Sequence, residues 1–228
     1  MIKIEKTEVY GWDAAIRGMR NPMNSWDKSD SYKTHIEDPE TLQTADFEFF
    51  VGDNDHDLMM RLAKGGSVHA KYRRMITVTC DITAPLYWWK EFDTYKVGTV
   101  ANSCSTMHKI HAKEFTLDAF SCEHLWGDRE DRDVDEPIGI LNIVIDTLNQ
   151  YRSDYVDLDM EDKSFWYQMI QLLPSSYNQK RTVLMNYEML ANAFKWRKDH
   201  KLDEWHTFCD WIRGLPYSEI ITGGGGEG

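Results

Sequence analysis

The sequence predicts an α+β protein, because strand-like and helix-like segments are both well represented. Residues 1–10 and 74–82 alternate polar and apolar side chains, as strands with one buried face do. Residues 138–151 and 186–198 follow helical patterns instead. A chain of 228 residues with 42% hydrophobic residues is long enough to bury a full core, and we expect a single domain over residues 1–221.

The first half of the chain divides at proline and glycine signals. Asn21-Pro22 should end the first helix, and Gly65-Gly66 should cap the second. Pro85 suits the first turn of a third helix, where a missing N–H donor costs nothing. The predicted elements are a strand at 1–10, a helix at 13–19, a long polar loop at 24–44, a helix at 57–64, a strand at 74–82 and a helix at 85–95.

The second half predicts more helix than strand. Pro174 should end the helix that precedes it, because the residue before a proline avoids helical geometry. The glycine-rich tail at 222–228 predicts a flexible end that follows the last element, so it is no phosphate-binding loop. The predicted elements are an acidic loop at 127–136, helices at 138–151 and 163–173, a strand at 179–185, and helices at 186–198 and 202–213.

Composition argues against several function classes. A net charge of −12 disfavours broad binding to a nucleic-acid backbone. The longest apolar run, at 138–145, is too short to span a bilayer, and the first residues lack a signal-peptide pattern. The four cysteines show no Cys-x-x-Cys spacing, so we expect neither disulfides nor a zinc site. We therefore expect a cytoplasmic protein without membrane or nucleic-acid partners.

Three polar side chains near the C-terminus, Asn186, Asn192 and Arg197, predict a ligand site. Positions 186, 190, 193 and 197 share one helical face, and Asn192 lies beside it. A polar residue at the start of an apolar stripe and a guanidinium near its end would suit an anionic or amide-bearing ligand. The structural alternative makes Asn186 a helix N-cap and Arg197 a solvated cation at the helix end.

The segment from Leu173-Pro174 to Trp205 resembles the C-terminal signature of the flavin-dependent thymidylate synthases. In that family a Leu-Pro precedes a strand, and the next helix carries an Asn, a second polar residue and an Arg towards flavin and nucleotide. The resemblance implies a curved mixed sheet flanked by helices, and a homotetramer whose sites are shared between chains. It also implies C5-methylation of a pyrimidine nucleotide such as dUMP, with FAD as cofactor and methylene-tetrahydrofolate and NADPH as co-substrates.

A second region of resemblance runs from Pro85 to Met107. Thr94, Tyr95 and Lys96 stand at the family's Arg-His-Arg, and Thr106 stands at the Arg that holds nucleotide phosphate. Cys104 stands at the motif's second Ser, or Ser105 does if the register slips by one. The resemblance implies cofactor binding by His69, Lys96, Thr99, Asn186 and Asn192, substrate binding by Glu91, Asn102, Cys104, Ser105 and Arg197, and catalysis by Arg197.

The sequence also departs from the family at two C-terminal positions. Ile170 and Glu188 stand where the family carries arginines for nucleotide and flavin. A carboxylate near a diphosphate turns attraction into repulsion. Cations from a neighbouring subunit would have to replace the missing ones, and Lys71, Arg73 and Arg74 are the candidates.

Three other patterns suggest chemistry only weakly. Cys104 has no identifiable base in sequence, so we expect an inert thiol rather than a nucleophile. His108 and His111 lack a third ligand, which favours a surface pair over a metal site. Residues 53–57 begin like a calcium loop but have Leu58 where that loop needs glycine, and we expect no metal.

Two function classes remain open at this point. The first, which we rank ahead at the level of sequence, is a flavin-dependent methyltransferase of the thymidylate synthase type. The second is a non-catalytic or repurposed nucleotide-binding protein on the same scaffold, in which the lost Arg-His-Arg and Glu188 abolish ordinary flavin binding.

Overall fold

The computed structural model describes residues 2–37, 44–130 and 132–223. The strands are β1 (Lys3–Tyr10), β2 (Tyr32–Glu37), β3 (Thr44–Phe50), β4 (Thr77–Pro85), β5 (Val100–Ser103) and β6 (Asn178–Asn186). The helices are α1 (Trp12–Arg20), α2 (Asp53–Lys64), α3 (Leu86–Phe92), α4 (Pro137–Asp157), α5 (Lys163–Leu172), α6 (Tyr187–Arg197), α7 (Asp203–Arg213) and α8 (Glu219–Thr222). The α+β prediction is confirmed. Within the described ranges, no helix combines the length and apolar character that a membrane span needs.

One four-stranded sheet has the strand order β1-β4-β6-β5. The central strand β4 buries Val78, Cys80, Ile82 and Ala84 on alternate positions. Asp81, between them, is also buried. A strand covered on both sides is expected at the centre of a sheet.

Residues 24–44 were predicted to be a long loop, and that prediction is wrong in part. β2 pairs antiparallel with β3, with Tyr32 opposite Phe50 and Thr34 opposite Glu48. The two strands form a separate two-stranded sheet. Polar residues around Tyr32, Thr34 and Ile36 obscure the alternation that would predict a strand here. The strand is fixed by pairing with β3, which is a separate segment of the chain.

Several other boundaries differ from the predicted ones. α2 begins four residues earlier than predicted, α4 is six residues longer at its C-terminal end, and β5 was not predicted at all.

The residue pairs in contact divide the chain into two compact units. Unit 1 comprises Met1–Glu5, Asp81–Thr94 and Ala101–Thr182, and unit 2 comprises Lys6–Cys80, Tyr95–Val100 and Val183–Gly228. The single domain expected over residues 1–221 stays a prediction. Of the tail predicted at 222–228, Thr222 closes α8 and residues 224–228 lie outside the described ranges.

Unit 1 has a core between α4 and α5. Its buried members are Ile110, Phe115, Phe120, Ile138, Leu141, Ile145, Leu148, Tyr155 and Met169. Ile170, at a position where the resemblance expects an arginine, packs against this core. An apolar side chain is therefore the residue that this packing needs.

Unit 2 is built around aromatic residues of α1, α6 and α7. The Trp12 ring lies edge-on to the Tyr187 ring, with 5.5 Å between centroids. Trp205 and Phe208 of α7 are fully buried and also meet edge-on, at 5.6 Å. Such pairs add specific geometry to the burial of large apolar surface.

Candidate functional site

Asn186 lies at the junction where β6 ends and α6 begins. Its side-chain Oδ1 accepts a hydrogen bond from the Met189 backbone N–H at 2.9 Å, so it is the N-cap of α6. Its Nδ2 lies against Gly98, where a Cβ atom would come within 2.2 Å of it. Gly98 has a φ of +80°, so both its backbone and the space around it favour glycine. The structural alternative for Asn186 thus holds in this fold.

Arg197, the last residue of α6, is held by two aromatic side chains. Its Nε donates to the Tyr95 hydroxyl at 3.0 Å. Its guanidinium carbon lies 4.6 Å from the centroid of the Trp205 ring and 5.7 Å from that of Tyr95. The solvated cation considered for Arg197 is therefore wrong, because the side chain is half-buried on an aromatic surface.

Tyr95 explains part of the departure from the family motif. It stands at the His of the family's Arg-His-Arg, and here its hydroxyl is the partner of Arg197. Lys96 is exposed, and Thr99 is half-buried. The Thr99 hydroxyl oxygen is buried and has no hydrogen-bond partner among the described residues. Asn192 is exposed on α6.

Glu188, in the first turn of α6, forms an ion pair with Arg73 at 3.5 Å. Arg73 is buried, with 7% of the residue exposed. Its Nε is buried without a hydrogen-bond partner among the described residues. One of the three proposed replacement cations therefore already balances the carboxylate, whereas Lys71 and Arg74 are exposed.

The remaining upstream candidate of unit 2 is His69. It is exposed, and its ring lies close to the Cα of Gly65, where a Cβ would meet it at 3.1 Å. His69 thus packs on the end of α2. Nothing in this contact indicates a ligand.

A cleft of about 630 Å³ lies within unit 1, and we call it the Cys104 cleft. Cys104 and Ser105, two predicted substrate residues, are brought together in it with Thr106. The Cys104 backbone N–H donates to the Lys180 carbonyl at 2.9 Å, and its own carbonyl accepts from Gln179 Nε2 at 2.7 Å. These bonds fix the backbone of the segment after β5 against β6.

Ser105 organises the turn that follows. Its hydroxyl oxygen accepts from the backbone N–H groups of Met107, at 3.2 Å, and His108, at 2.8 Å. That turn leads to Lys109, which lines the cleft. Ser105, a predicted substrate residue, therefore lies one turn before Lys109, a cation that no sequence pattern indicated.

Three lysines line the Cys104 cleft, namely Lys109, Lys113 and Lys180. Lys180 is paired with Asp81 at 3.1 Å, and this hydrogen bond raises the pKa of Lys180. Lys109 and Lys113 are exposed, and neither has an ion-pair partner in the described part of the chain. Two acidic residues also line the cleft, and one of them, Asp118, is paired with Arg129 at 2.8 Å.

Aromatic side chains form one side of the same cleft. Tyr177 is half-buried, and burial raises the pKa of its hydroxyl. Its ring meets Phe115 at 6.2 Å between centroids and Phe120 at 5.6 Å, both edge-on. The neighbouring Asn178 lines the cleft and accepts from the Ser121 hydroxyl at 2.9 Å. The cleft thus offers cations, an amide and an aromatic ring.

The other predicted substrate residues lie on neighbouring elements of unit 1. Asn102 is exposed on β5, and Glu91 is half-buried on α3. His111 packs edge-on against Tyr155 at 5.3 Å. Residues 53–57, which begin like a calcium loop, form the start of α2 in unit 2 instead. Its Asp55 is fully buried and paired with Arg20.

Comparison of the sequence with protein-family models and with curated proteins finds no match. Comparison with solved structures finds similar folds. Thymidylate synthase X (ThyX) from Helicobacter pylori, solved with FAD and dUMP, has a TM-score of 0.63 at 13% identity, over 96% of each chain. The chain has a ThyX-like fold.

Two further structures agree with that fold. A second complex of the Helicobacter pylori enzyme with FAD and dUMP has a TM-score of 0.62 at 13% identity, again over 96% of each chain. The UMP/dUMP methylase PolB from Streptomyces cacaoi, bound to 5-Br dUMP, has a TM-score of 0.61 at 12% identity, over 97% of this chain and 94% of PolB. At such identities the ThyX-like fold is what the likeness shows.

The ThyX-like fold allows a test of whether the residues present suit a flavin dinucleotide. The resemblance assigns arginines to the flavin and nucleotide, so cations are what these positions should supply to the phosphates. At the positions that the resemblance assigns to this task, the Tyr95 hydroxyl is bonded to Arg197, and Glu188 contributes a carboxylate. Lys96 is a single exposed ammonium group. These residues do not fit ordinary flavin binding.

Proposed function

We propose that this protein binds a pyrimidine nucleotide in the Cys104 cleft, on a ThyX-like scaffold that does not bind flavin in the ordinary way. The observation that carries the proposal is the pair of exposed lysines in the cleft, Lys109 and Lys113, neither of which has an ion-pair partner in the part of the chain described. The solved proteins of similar fold support it, because they are bound to dUMP or 5-Br dUMP.

The chemistry of the cleft suits a nucleoside monophosphate. Lys109 and Lys113 would contact the phosphate, whose charge makes such hydrogen bonds shorter and stronger than neutral ones. Tyr177 offers a ring edge or face to a base. The Oδ1 of Asn178 already accepts from Ser121, so Asn178 offers its Nδ2 as a donor to a pyrimidine carbonyl. Thr106, where the resemblance places a phosphate-binding Arg, is half-buried in the same cleft. The lysines would take the place of that arginine.

The experiment compares dUMP with deoxyuridine, which lacks the phosphate, in a thermal-shift assay and by calorimetry. A ligand present at about a hundred times its dissociation constant adds about 2.7 kcal/mol of stability. We expect dUMP to raise the melting temperature and deoxyuridine to have a much smaller effect. UMP, dCMP and dTMP in the same assay identify the preferred sugar and base.

The double variant Lys109→Ala/Lys113→Ala should weaken dUMP binding by about 1.5 to 3 kcal/mol. A matched control is Lys64→Ala/Lys201→Ala, which removes the same charge from exposed positions outside the cleft. Equal dUMP affinity in the double variant and the wild type would refute the cleft as the nucleotide site. Absence of any nucleotide effect would refute the function itself.

The second candidate function is reductive C5-methylation of the nucleotide, with FAD, methylene-tetrahydrofolate and NADPH. Two observations favour it, namely the FAD in the solved ThyX proteins of similar fold and the guanidinium retained at Arg197. It further requires a homotetramer in which neighbouring chains supply the missing cations. Under this candidate Arg197 polarises the uracil carbonyl, and Lys96, Thr99, Asn186, Asn192 and His69 contact the cofactor.

Absorbance separates the two candidates. Purified protein that retains flavin is yellow, and flavin added to it raises the melting temperature. We expect colourless protein without such a shift, and monomer or tetramer can be distinguished by light scattering on the same sample. Formation of methylated nucleotide that depends on methylene-tetrahydrofolate would establish the second candidate instead.

A further inference from the structure

A second cleft, within unit 2, is lined by cations and has a volume of about 460 Å³. Its lining includes Arg20 of α1, Lys28 of a 3-10 turn at Trp26–Lys28, and Arg61 of α2. No acidic residue among the described ones lines it. In a protein with a net charge of −12, three converging cations are a strong local departure from the average.

Arg20 is the innermost of these cations and is fixed from behind. Only 4% of the residue is exposed. Its Nε donates to Asp55 at 2.6 Å, and its Nη1 donates to the Ser25 carbonyl at 3.1 Å. Its third nitrogen, Nη2, makes no hydrogen bond among the residues that the structure describes. A buried guanidinium with one nitrogen left over is suited to a charged oxygen ligand.

The acid behind Arg20 is already satisfied. Asp55 is fully buried and accepts five hydrogen bonds, one from Arg20 and the others from the Ser29 and Ser31 hydroxyls and the Asp30 and Ser31 backbone. Burial opposes the ionisation of Asp55, but the hydrogen bonds outweigh it and hold its pKa below the ordinary value. The carboxylate therefore orients Arg20 and is itself turned away from any ligand.

Two further cations complete the cleft and are uncommitted. Lys28 and Arg61 are exposed, and neither has an ion-pair partner within the described ranges. Two acids lie close to the cleft without lining it. Asp55 pairs with Arg20, and Asp30 accepts hydrogen bonds from the backbone N–H groups of Asn54 and Asp55. Asn54 also lines the cleft and adds a neutral polar residue.

We infer that this Arg20 cleft is an anion-binding site, separate from the nucleotide site proposed above, for a small ligand that carries a diphosphate. A phosphate monoester carries about two negative charges near neutral pH, and a diphosphate carries more, spread over two phosphoryl groups. A diphosphate can therefore contact all three lining cations at once, whereas a carboxylate offers only two oxygens. Met23 and Leu58 add an apolar surface, so the diphosphate has room for an attached organic group. Inorganic pyrophosphate and a nucleoside diphosphate share this chemistry.

The test is calorimetry with inorganic pyrophosphate at constant ionic strength, in the Lys109→Ala/Lys113→Ala background. This background removes the cations of the Cys104 cleft, so that failure of the nucleotide proposal does not affect the result. We expect one pyrophosphate per chain. Adding Lys28→Ala/Arg61→Ala should weaken that binding by about 10-fold to 100-fold, because two charge-assisted contacts are lost.

The matched control adds Lys64→Ala/Lys201→Ala to the same background. It removes equal charge, and Lys64 lies on α2 together with Arg61. An equal loss of affinity in the control would show that net charge alone explains the effect, and it would overturn the site. Absence of pyrophosphate binding in the background protein would also overturn it. Arg20 is left unchanged, because removing it would leave Asp55 as a buried charge without its partner.

UDP in place of pyrophosphate distinguishes the two sources of the diphosphate. If UDP binds more tightly and the Lys28→Ala/Arg61→Ala change weakens both ligands, the ligand is a nucleotide. Equal affinity for both ligands, weakened equally by that change, supports free pyrophosphate. Binding of UDP that the change leaves intact would overturn the proposal.

Discussion

The α6 helix and the Cys104 cleft carry polar side chains in opposite states. On α6, Asn186 caps the helix and Arg197 is bonded to Tyr95 over the Trp205 ring. In the cleft, Lys109 and Lys113 are exposed and have no ion-pair partners in the described part of the chain. Asn186 and Arg197, which match the family signature, are therefore engaged by the fold, and the uncommitted lysines follow the region from Pro85 to Met107, where that signature is degenerate.

A residue that matches a family motif in type and spacing is therefore not necessarily a binding residue. A side chain that already has partners loses them, or shares them, when it binds a ligand. Substitutions on α6 should therefore change stability first, and substitutions in the cleft should change affinity first. Four predictions test this division, and the first has the largest expected effect on stability.

Gly98→Ala should lower the free energy of unfolding by about 2 to 4 kcal/mol, because a Cβ at this left-handed position also overlaps the Asn186 side chain. Gly66→Ala is the matched control, since Gly66 has a similar φ of +85° but no atom within 4 Å of an added Cβ. The control should lose only about 1 to 2 kcal/mol. Chemical denaturation measures both. Equal losses would show that the contact with Asn186 contributes nothing.

Arg197→Ala should lower the free energy of unfolding by about 1.5 to 3 kcal/mol, since it removes a hydrogen bond and a cation–π contact. Lys198→Ala, the exposed neighbour, should change it by less than about 0.5 kcal/mol. Thermal and chemical denaturation, with dUMP titrations on the same samples, are the measurements. Unchanged stability together with weakened dUMP binding would contradict the structural role and favour the methylation candidate.

Asn186→Ala should cost about 1 kcal/mol of stability through the lost N-cap, whereas Asn186→Asp should restore most of it, because a carboxylate caps equally well. The pair separates capping from ligand binding. A carboxylate cannot make the donor contacts of an amide that binds a ligand. If Asn186→Asp restores stability but loses nucleotide binding, Asn186 belongs to a ligand site.

Lys109→Ala/Lys113→Ala should have the smallest effect on stability, within about 0.5 kcal/mol, because both side chains are exposed and unpaired among the described residues. Denaturation of the nucleotide-free protein measures it. A large loss would mean that these lysines hold the cleft together, and the weakened dUMP binding expected for this variant would then have a structural cause.

The sequence predicted most of the regular elements, because each has a local signal. The strands β1, β4 and β6 and the helices α1, α4 to α7 all lie where periodicity, Asn21-Pro22 or Pro174 placed them, apart from several residues at the ends. The pair of strands β2 and β3 was missed, since the two strands gain their order from pairing with each other. Helix periodicity is local, whereas strand pairing is not.

The candidate sites show the same difference between features that are local in the chain and features that depend on folding. The order of residues is enough to show that Asn186 stands at a helix start, that Arg197 shares its face, and that the Arg-His-Arg positions lack two arginines. Tertiary structure alone decided which of these side chains has partners, and it brought Lys109 and Lys113 to one cleft and Arg20 and Arg61 to another. The physical reason is distance along the chain. Arg20 and Arg61 are 41 residues apart by their numbers, so only folding places their charges together, and no local pattern encodes the result.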